Sequence, residues 1–202
     1  MTPEVLKTLL DDVHRSNDPS SDHDLNSDFI PAPGRELRAA AVLVPVQCRQ
    51  DSARLILTKR SSALKHHPGQ IAFPGGKMDD GDQDLFATAM REAQEEIGLA
   101  PSDVTIIGAL PRHETVTGFH VVPVLAAVAP DFQPMAEPGE VDEVFDIPMV
   151  HVLNSARYSI QKRRWRGTWR HYYVVPFGPY YIWGATARML RSMAQVSETR
   201  CE

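Results

Sequence analysis

Residues 73–99 read FPGGKMDDGDQDLFATAMREAQEEIGL, and this stretch decides the fold. Gly75 and Gly76 follow a short apolar run and supply the backbone freedom for a tight turn. Asp79, Asp80, Gly81 and Asp82 form a polar turn where a helix N-cap belongs. From Leu85 the pattern becomes helical, with Leu85, Ala89, Ala93 and Ile97 on one apolar stripe. Gly98 closes the helix as a C′ glycine. Glu92, Glu95 and Glu96 stand at i, i+3 and i+4, so they share one face. Like charges at that spacing weaken an isolated helix, and Arg91 offsets only part of the repulsion. Oxygen-only ligands suit a hard cation such as Mg2+ or Mn2+. A cation held by carboxylates suits hydrolysis of a diphosphate. An acidic run alone usually marks a solvated face. The FPGG that precedes it and the placement of Arg91 turn the reading toward a site.

Residues 76–99 resemble the signature of the Nudix hydrolases. Its second half runs Arg-Glu-aliphatic-x-Glu-Glu-x-Gly-aliphatic, and Arg91, Glu92, Ala93, Glu95, Glu96, Gly98 and Leu99 fill those places. The first half departs: Lys77 stands at the glycine position and Gln83 at the glutamate position, with Asp82 one residue earlier. That spacing after FPGGK resembles the coenzyme A diphosphatase branch. The upstream residues Ile56, Leu57, Thr58, Arg60, Ser61, Lys65 and Gly69 follow a second signature of that branch, in register with Phe73-Pro74-Gly75-Gly76. Ile56 replaces a leucine and Lys65 an arginine. Lys65 keeps the charge but lacks the planar fork that grips phosphate bidentately.

The order of elements does not follow repeating βα units, which suggests a mixed sheet covered by helices on both faces. The resemblance implies the Nudix α/β/α sandwich, with residues 37–198 as a single domain and residues 1–36 as an N-terminal helix and linker arm. It implies hydrolysis of coenzyme A or an acyl-CoA to 3′,5′-ADP and the 4′-phosphopantetheine portion, with Mg2+ or Mn2+ as cofactor. Glu92, Glu96 and Glu95 would hold the cation, and Arg91 would orient a carboxylate. Glu95 or a loop acid would accept a proton from water, with Glu140 the first choice and Glu143 the second. Arg60, Lys65, Gly69, Gly75, Gly76 and Lys77 are expected to bind substrate. Two alternatives remain at this stage. One is another nucleotide substrate, such as ADP-ribose, a dinucleoside polyphosphate or a damaged nucleotide. The other is a catalytically silent nucleotide-binding module, which the retained Glu92, Glu95 and Glu96 disfavour.

The rest of the chain frames this stretch. Its 202 residues are enough for one substantial domain with a buried core. A net charge of −5 gives no reason to expect nonspecific nucleic-acid binding. Two cysteines, Cys48 and Cys201, indicate neither a disulfide framework nor a zinc site. The first residues lack a basic n-region and a long apolar core, and no run is long enough to cross a bilayer, so the expectation is a cytoplasmic protein. Residues 3–15 read as an amphipathic helix with Val5, Leu9, Leu10 and Val13 on one face. Residues 16–36 read as a linker or mobile arm. Residues 37–47 and 53–60 are apolar strands, and 61–69 a basic loop with Lys65, His66 and His67. Residues 111–119 read as a loop in which His113, Glu114 and Thr117 are weak candidates for substrate contact, a surface histidine being the competing reading. Residues 158–166 and 169–176 form a basic hairpin around Gly167 and Thr168. Its arginines read as edge protection, and Trp165 and Trp169 as core or dimer contacts. A helix from Ala185 closes the domain, and the aromatic C-terminal region admits a homodimer.

Overall fold

The computed structural model describes residues 1–16, 19–26, 34–50, 52–165 and 167–198. The chain opens with α1 (Pro3–Ser16) and the short β1 (Ser20–Ser21), then enters the long β2 (Arg38–Cys48) and β3 (Ala53–Arg60). Two short strands, β4 (Ile71–Ala72) and β5 (Gly75–Lys77), lead to α2 (Leu85–Ile97). After it come β6 (Val104–Ala109), β7 (His113–Glu114), β8 (Phe119–Val128), β9 (Val141–Pro148) and α3 (Met149–Val152). The C-terminal part is β10 (Ser159–Trp165), β11 (Thr168–Phe177), β12 (Tyr180–Trp183) and α4 (Gly184–Glu198).

Nine strands among the described residues make one mixed sheet, built around the order β7-β8-β2-β3-β4. β2 runs parallel to β8 over all but its last residue, from Arg38 beside Phe119 to Gln47 beside Val128. Its other partners, β3 and β5, are antiparallel, as is β9 on β3. Side chains alternate across a strand, so β2 and β3 serve two cores. Ala41, Leu43 and Ile56 face one side, where Ala89, Ala93 and Ile97 of α2 cover them. Val44, Val46, Leu55 and Leu57 face the other, where Leu6, Leu10 and Val13 of α1 meet Leu190 and Met193 of α4. The result is the expected helix-sheet-helix sandwich. Both faces of the central strands are apolar because both are buried, which is why their sequences read as near-continuous hydrophobic runs.

The N-terminal arm needs correction. Ser20 and Ser21 pair in parallel with His113 and Glu114, and the Asp22 N–H donates to the Glu114 carbonyl at 2.9 Å. Residues 20–26 are therefore docked rather than a mobile arm. Residues 17–18 and 27–33 of that expectation lie outside the described residues, as do Cys201 and Arg166. The Gly75-Gly76 turn also differs: these residues form β5, antiparallel to Ala41 and Val42. The basic hairpin is present, as β10 and β11, and β12 extends it to a separate three-stranded sheet.

Candidate active site

α2 begins where Asp84, not the expected Asp79–Asp82 turn, caps it: the Asp84 carboxylate accepts the Ala87 N–H at 2.8 Å. Asp82 instead takes the Thr88 hydroxyl at 2.9 Å and the Arg91 guanidinium. Gly98 ends the helix at φ 70°, the left-handed conformation that glycine adopts without a Cβ penalty. With both ends fixed, Glu92 and Glu96 point toward β5, one turn apart.

β5 is built from glycine because the helix carboxylates sit against it. A Cβ on Gly76 would collide with the Glu92 carboxylate. Gly75 brings its N–H to Glu96 Oε2 at 3.3 Å. Glu96 is 3% exposed, and Arg60 approaches its carboxylate at 3.6 Å. Burial pushes the Glu96 carboxyl up to about 7, and repulsion from Glu92 and Glu140 adds to that against the pull of Arg60. Burial also raises the Glu92 carboxyl, again with Glu140 contributing repulsion and Arg91 opposing it. Glu140, in the loop before β9, thus adds its charge to that of the pair.

Arg91 organises the opposite flank. It forks onto Asp82 with two bonds of 3.0 Å, reaches Glu92 at 3.0 Å and Glu95 at 2.9 Å, and touches the Lys77 carbonyl at 3.3 Å. This guanidinium holds the Asp82 carboxyl well below the usual carboxylate range. Asp82 therefore occupies the arginine that would otherwise lie wholly across the acids. Glu95 remains half exposed at the solvent edge. With Arg91 on Glu92 and Glu95 and Arg60 on Glu96, no three metal-ligating side chains converge on one point among the described residues. The donor set nevertheless suits a hard cation. It is all oxygen, and Glu96 carries a charge that its surroundings oppose. Mg2+ needs only one or two carboxylates when waters and substrate phosphates complete its shell.

A cleft of about 430 Å³ opens from Gly75, Gly76 and Lys77, with Arg60 in its wall. Of the expected substrate residues, those four line it. Lys65 is exposed on the 61–69 loop and does not line the cleft. Gly69 lies in the wall of a smaller hollow with Glu143 and Tyr180. Glu143 accepts the Tyr180 hydroxyl at 2.5 Å, so it is engaged in that hollow. Thr117 does line the main cleft, whereas His113 is fully buried rather than a surface histidine or a substrate contact. Ser20 Oγ lies 2.9 Å from His113 Nδ1, and Asp22 Oδ1 lies 3.1 Å from its Nε2. Trp165 and Trp183 line the cleft with Arg163, Arg170 and Tyr172, whereas the sequence suggests edge protection for the two arginines and a core or dimer contact for Trp165. The signal was present in the alternation of cationic and aromatic residues along 161–172.

The profile of the NUDIX domain family matches residues 37–166. The chain is 43% identical over 162 residues to a protein of Cronobacter sakazakii described as "Uncharacterized Nudix hydrolase NudL", covering 80% of this chain and 84% of that protein. A protein of the same description from Klebsiella pneumoniae subsp. pneumoniae is 41% identical over 167 residues, or 81% of this chain and 86% of its own length. Among solved structures, a MutT/nudix family protein from Enterococcus faecalis superposes with a TM-score of 0.51 over 85% of this chain and 66% of that one, at 12% identity. That likeness speaks to the fold.

Proposed function

The chain belongs to the Nudix hydrolases, enzymes that act on diphosphate bonds of nucleotide-linked compounds, and we propose that its substrate is coenzyme A or an acyl-CoA. The observation that carries the reading is the junction of β5 and α2. There Glu92 and Glu96 lie directly behind Gly75 and Gly76 at the mouth of a cleft large enough for a nucleotide. The upstream residues Thr58, Arg60 and Ser61, in register with Phe73-Pro74-Gly75-Gly76, support the coenzyme A branch.

In this reading Glu92 and Glu96 would hold Mg2+ or Mn2+, with Glu95 at the edge of the set. When bound, the cation would offset phosphate charge and make a water easier to deprotonate. Arg91, fixed by Asp82, sets the orientation of Glu92 and Glu95, the kind of outer support that keeps ligating carboxylates in place. Glu95, exposed to solvent, or the loop acid Glu140 would accept a proton from the attacking water. Arg60 stands between Glu96 and the cleft, where its guanidinium meets the substrate phosphates. Gly75, Gly76 and Lys77, which line the cleft, would meet the diphosphate.

The test is product analysis from coenzyme A by mass-resolved chromatography, with Mg2+ or Mn2+ and with EDTA. The expected outcome is metal-dependent release of 3′,5′-ADP. Cleavage of ADP-ribose or a dinucleoside polyphosphate in the same panel, with coenzyme A left intact, sinks the substrate assignment.

A further inference from the structure

The cleft has a second wall that the carboxylate chemistry does not use. β10 and β11 place Arg163 directly opposite Arg170. Side chains alternate along a strand, so Arg163 and Trp165 share a face with Arg170 and Tyr172, and all four line the cleft. Trp183 of β12 joins them there. The Arg163 guanidinium lies 4.3 Å from the centre of the Trp183 ring, and that of Arg170 lies 5.0 Å from the Trp165 ring.

Two like charges directly opposite on a sheet face destabilise the sheet. No carboxylate pairs with Arg163 among the described residues. Asp22, the one acid lining the cleft among them, is taken up by His113 and by the Val116 N–H at 2.8 Å. Edge protection does not explain the pair either. That role suits Lys162, which lies on the other face of β10 over Trp169. A guanidinium backed by an indole offers a fork for phosphate and, with the rings beside it, a surface for a planar base.

We propose that this wall is a subsite for a nucleoside bearing a phosphomonoester separate from the diphosphate that is cleaved. Arg163 and Arg170 grip that phosphate, and Trp165, Tyr172 and Trp183 present the aromatic surface for the base. The inference rests on the reading of the cleft as a site of diphosphate hydrolysis and names the far end of the substrate. The glycine strand takes the diphosphate at one end of the cleft and the hairpin takes the second phosphate at the other.

The test needs no turnover. The full chain in EDTA is titrated with 3′,5′-ADP and with 5′-AMP, following tryptophan fluorescence. The wild type is expected to bind 3′,5′-ADP more tightly, since charge-assisted bonds to a phosphate give roughly tenfold or more. In Arg163→Gln and Arg170→Gln the ratio of the two affinities falls fivefold or more, while Lys162→Gln keeps the wild-type ratio. Arg163 is exposed, so its variant alone decides the matter should Arg170→Gln fail to fold. A wild type with no preference, or an Arg163→Gln variant whose ratio falls less than fivefold, overturns the subsite. An intact preference with no cleavage of coenzyme A overturns the substrate assignment and leaves the subsite standing. Cleavage without preference does the reverse.

Discussion

Glu96 accepts the Gly75 backbone N–H at 3.3 Å, and this bond joins the glycine strand to the carboxylate helix. A glutamine at position 96 keeps an oxygen for that bond and removes only the charge. Glu96→Gln is therefore expected to fold as the wild type does and to lose roughly 10²–10³-fold in kcat, the scale on which removal of one electrostatic partner of a transition state acts. Near wild-type turnover with saturating metal would sink the role given to Glu96.

The same carboxylate makes the metal-free protein pH-sensitive. Burial raises the folded-state value of Glu96 to about 7 from the 4.5 of an ordinary glutamate. Between those values the folded chain holds a proton that the unfolded chain has released. Stability from this group is therefore complete below about 4.5 and is lost as pH rises through about 7, at up to about 1.4 kcal/mol per pH unit. Urea unfolding in EDTA at pH 5 and pH 7 measures it. Glu96→Gln is expected to flatten the difference between the two pH values, and an unchanged difference contradicts the assignment.

The two glycines of β5 separate packing from chemistry. A Cβ on Gly75 would lie 2.5 Å from the Ala41 carbonyl oxygen and 2.6 Å from Val42 Cα, both fixed backbone of β2. The atoms nearest a Cβ on Gly76 are those of the Glu92 carboxylate, the end of a movable side chain. Gly75→Ala is expected to cost about 1–3 kcal/mol of stability or more. Gly76→Ala should unfold near the wild-type midpoint yet lose most of its turnover, because Glu92 is displaced. Thermal unfolding and kcat on the two variants distinguish these outcomes, and the reverse pattern refutes the account.

Much of this site was legible in residues 73–99, because its determinants are local. Helical spacing alone puts Glu92, Glu95 and Glu96 on one face, and a C′ glycine marks the helix end. The sandwich was legible because a resemblance fixed the topology that apolar runs such as 37–47 leave open. What the sequence hid depends on pairings between distant segments. Ser20 meets His113 across 93 positions, and nothing local to either announces it. Gly75 and Gly76 read as a turn because glycine usually serves one, whereas here the missing side chains admit β2 and Glu92. The hairpin's arginines read as edge protection because one strand does not reveal which of its faces is covered. The partner that covers Arg163, the ring of Trp183, comes from another strand.

His113 supplies a last test, of how the N-terminal segment bears on the cleft. It is fully buried and lies between Ser20 Oγ at 2.9 Å and Asp22 Oδ1 at 3.1 Å. Burial works to raise the Asp22 carboxyl, but the bond and charge of His113 and the Val116 N–H outweigh it and hold the value down. Asp22 in turn fixes Val116, and both line the cleft. His113→Phe fills the volume but leaves Ser20 and Asp22 without this partner. Stranding buried polar groups costs about 1–3 kcal/mol, so the urea midpoint should fall. Hydrogen exchange of residues 20–26 should quicken while that of β2 stays slow. Since Val116 loses its anchor and the carboxylates of α2 do not, KM should rise several-fold with kcat little changed. Unaltered exchange at residues 20–26, or a fall in kcat with KM constant, would show that His113 does not tether this segment to the cleft.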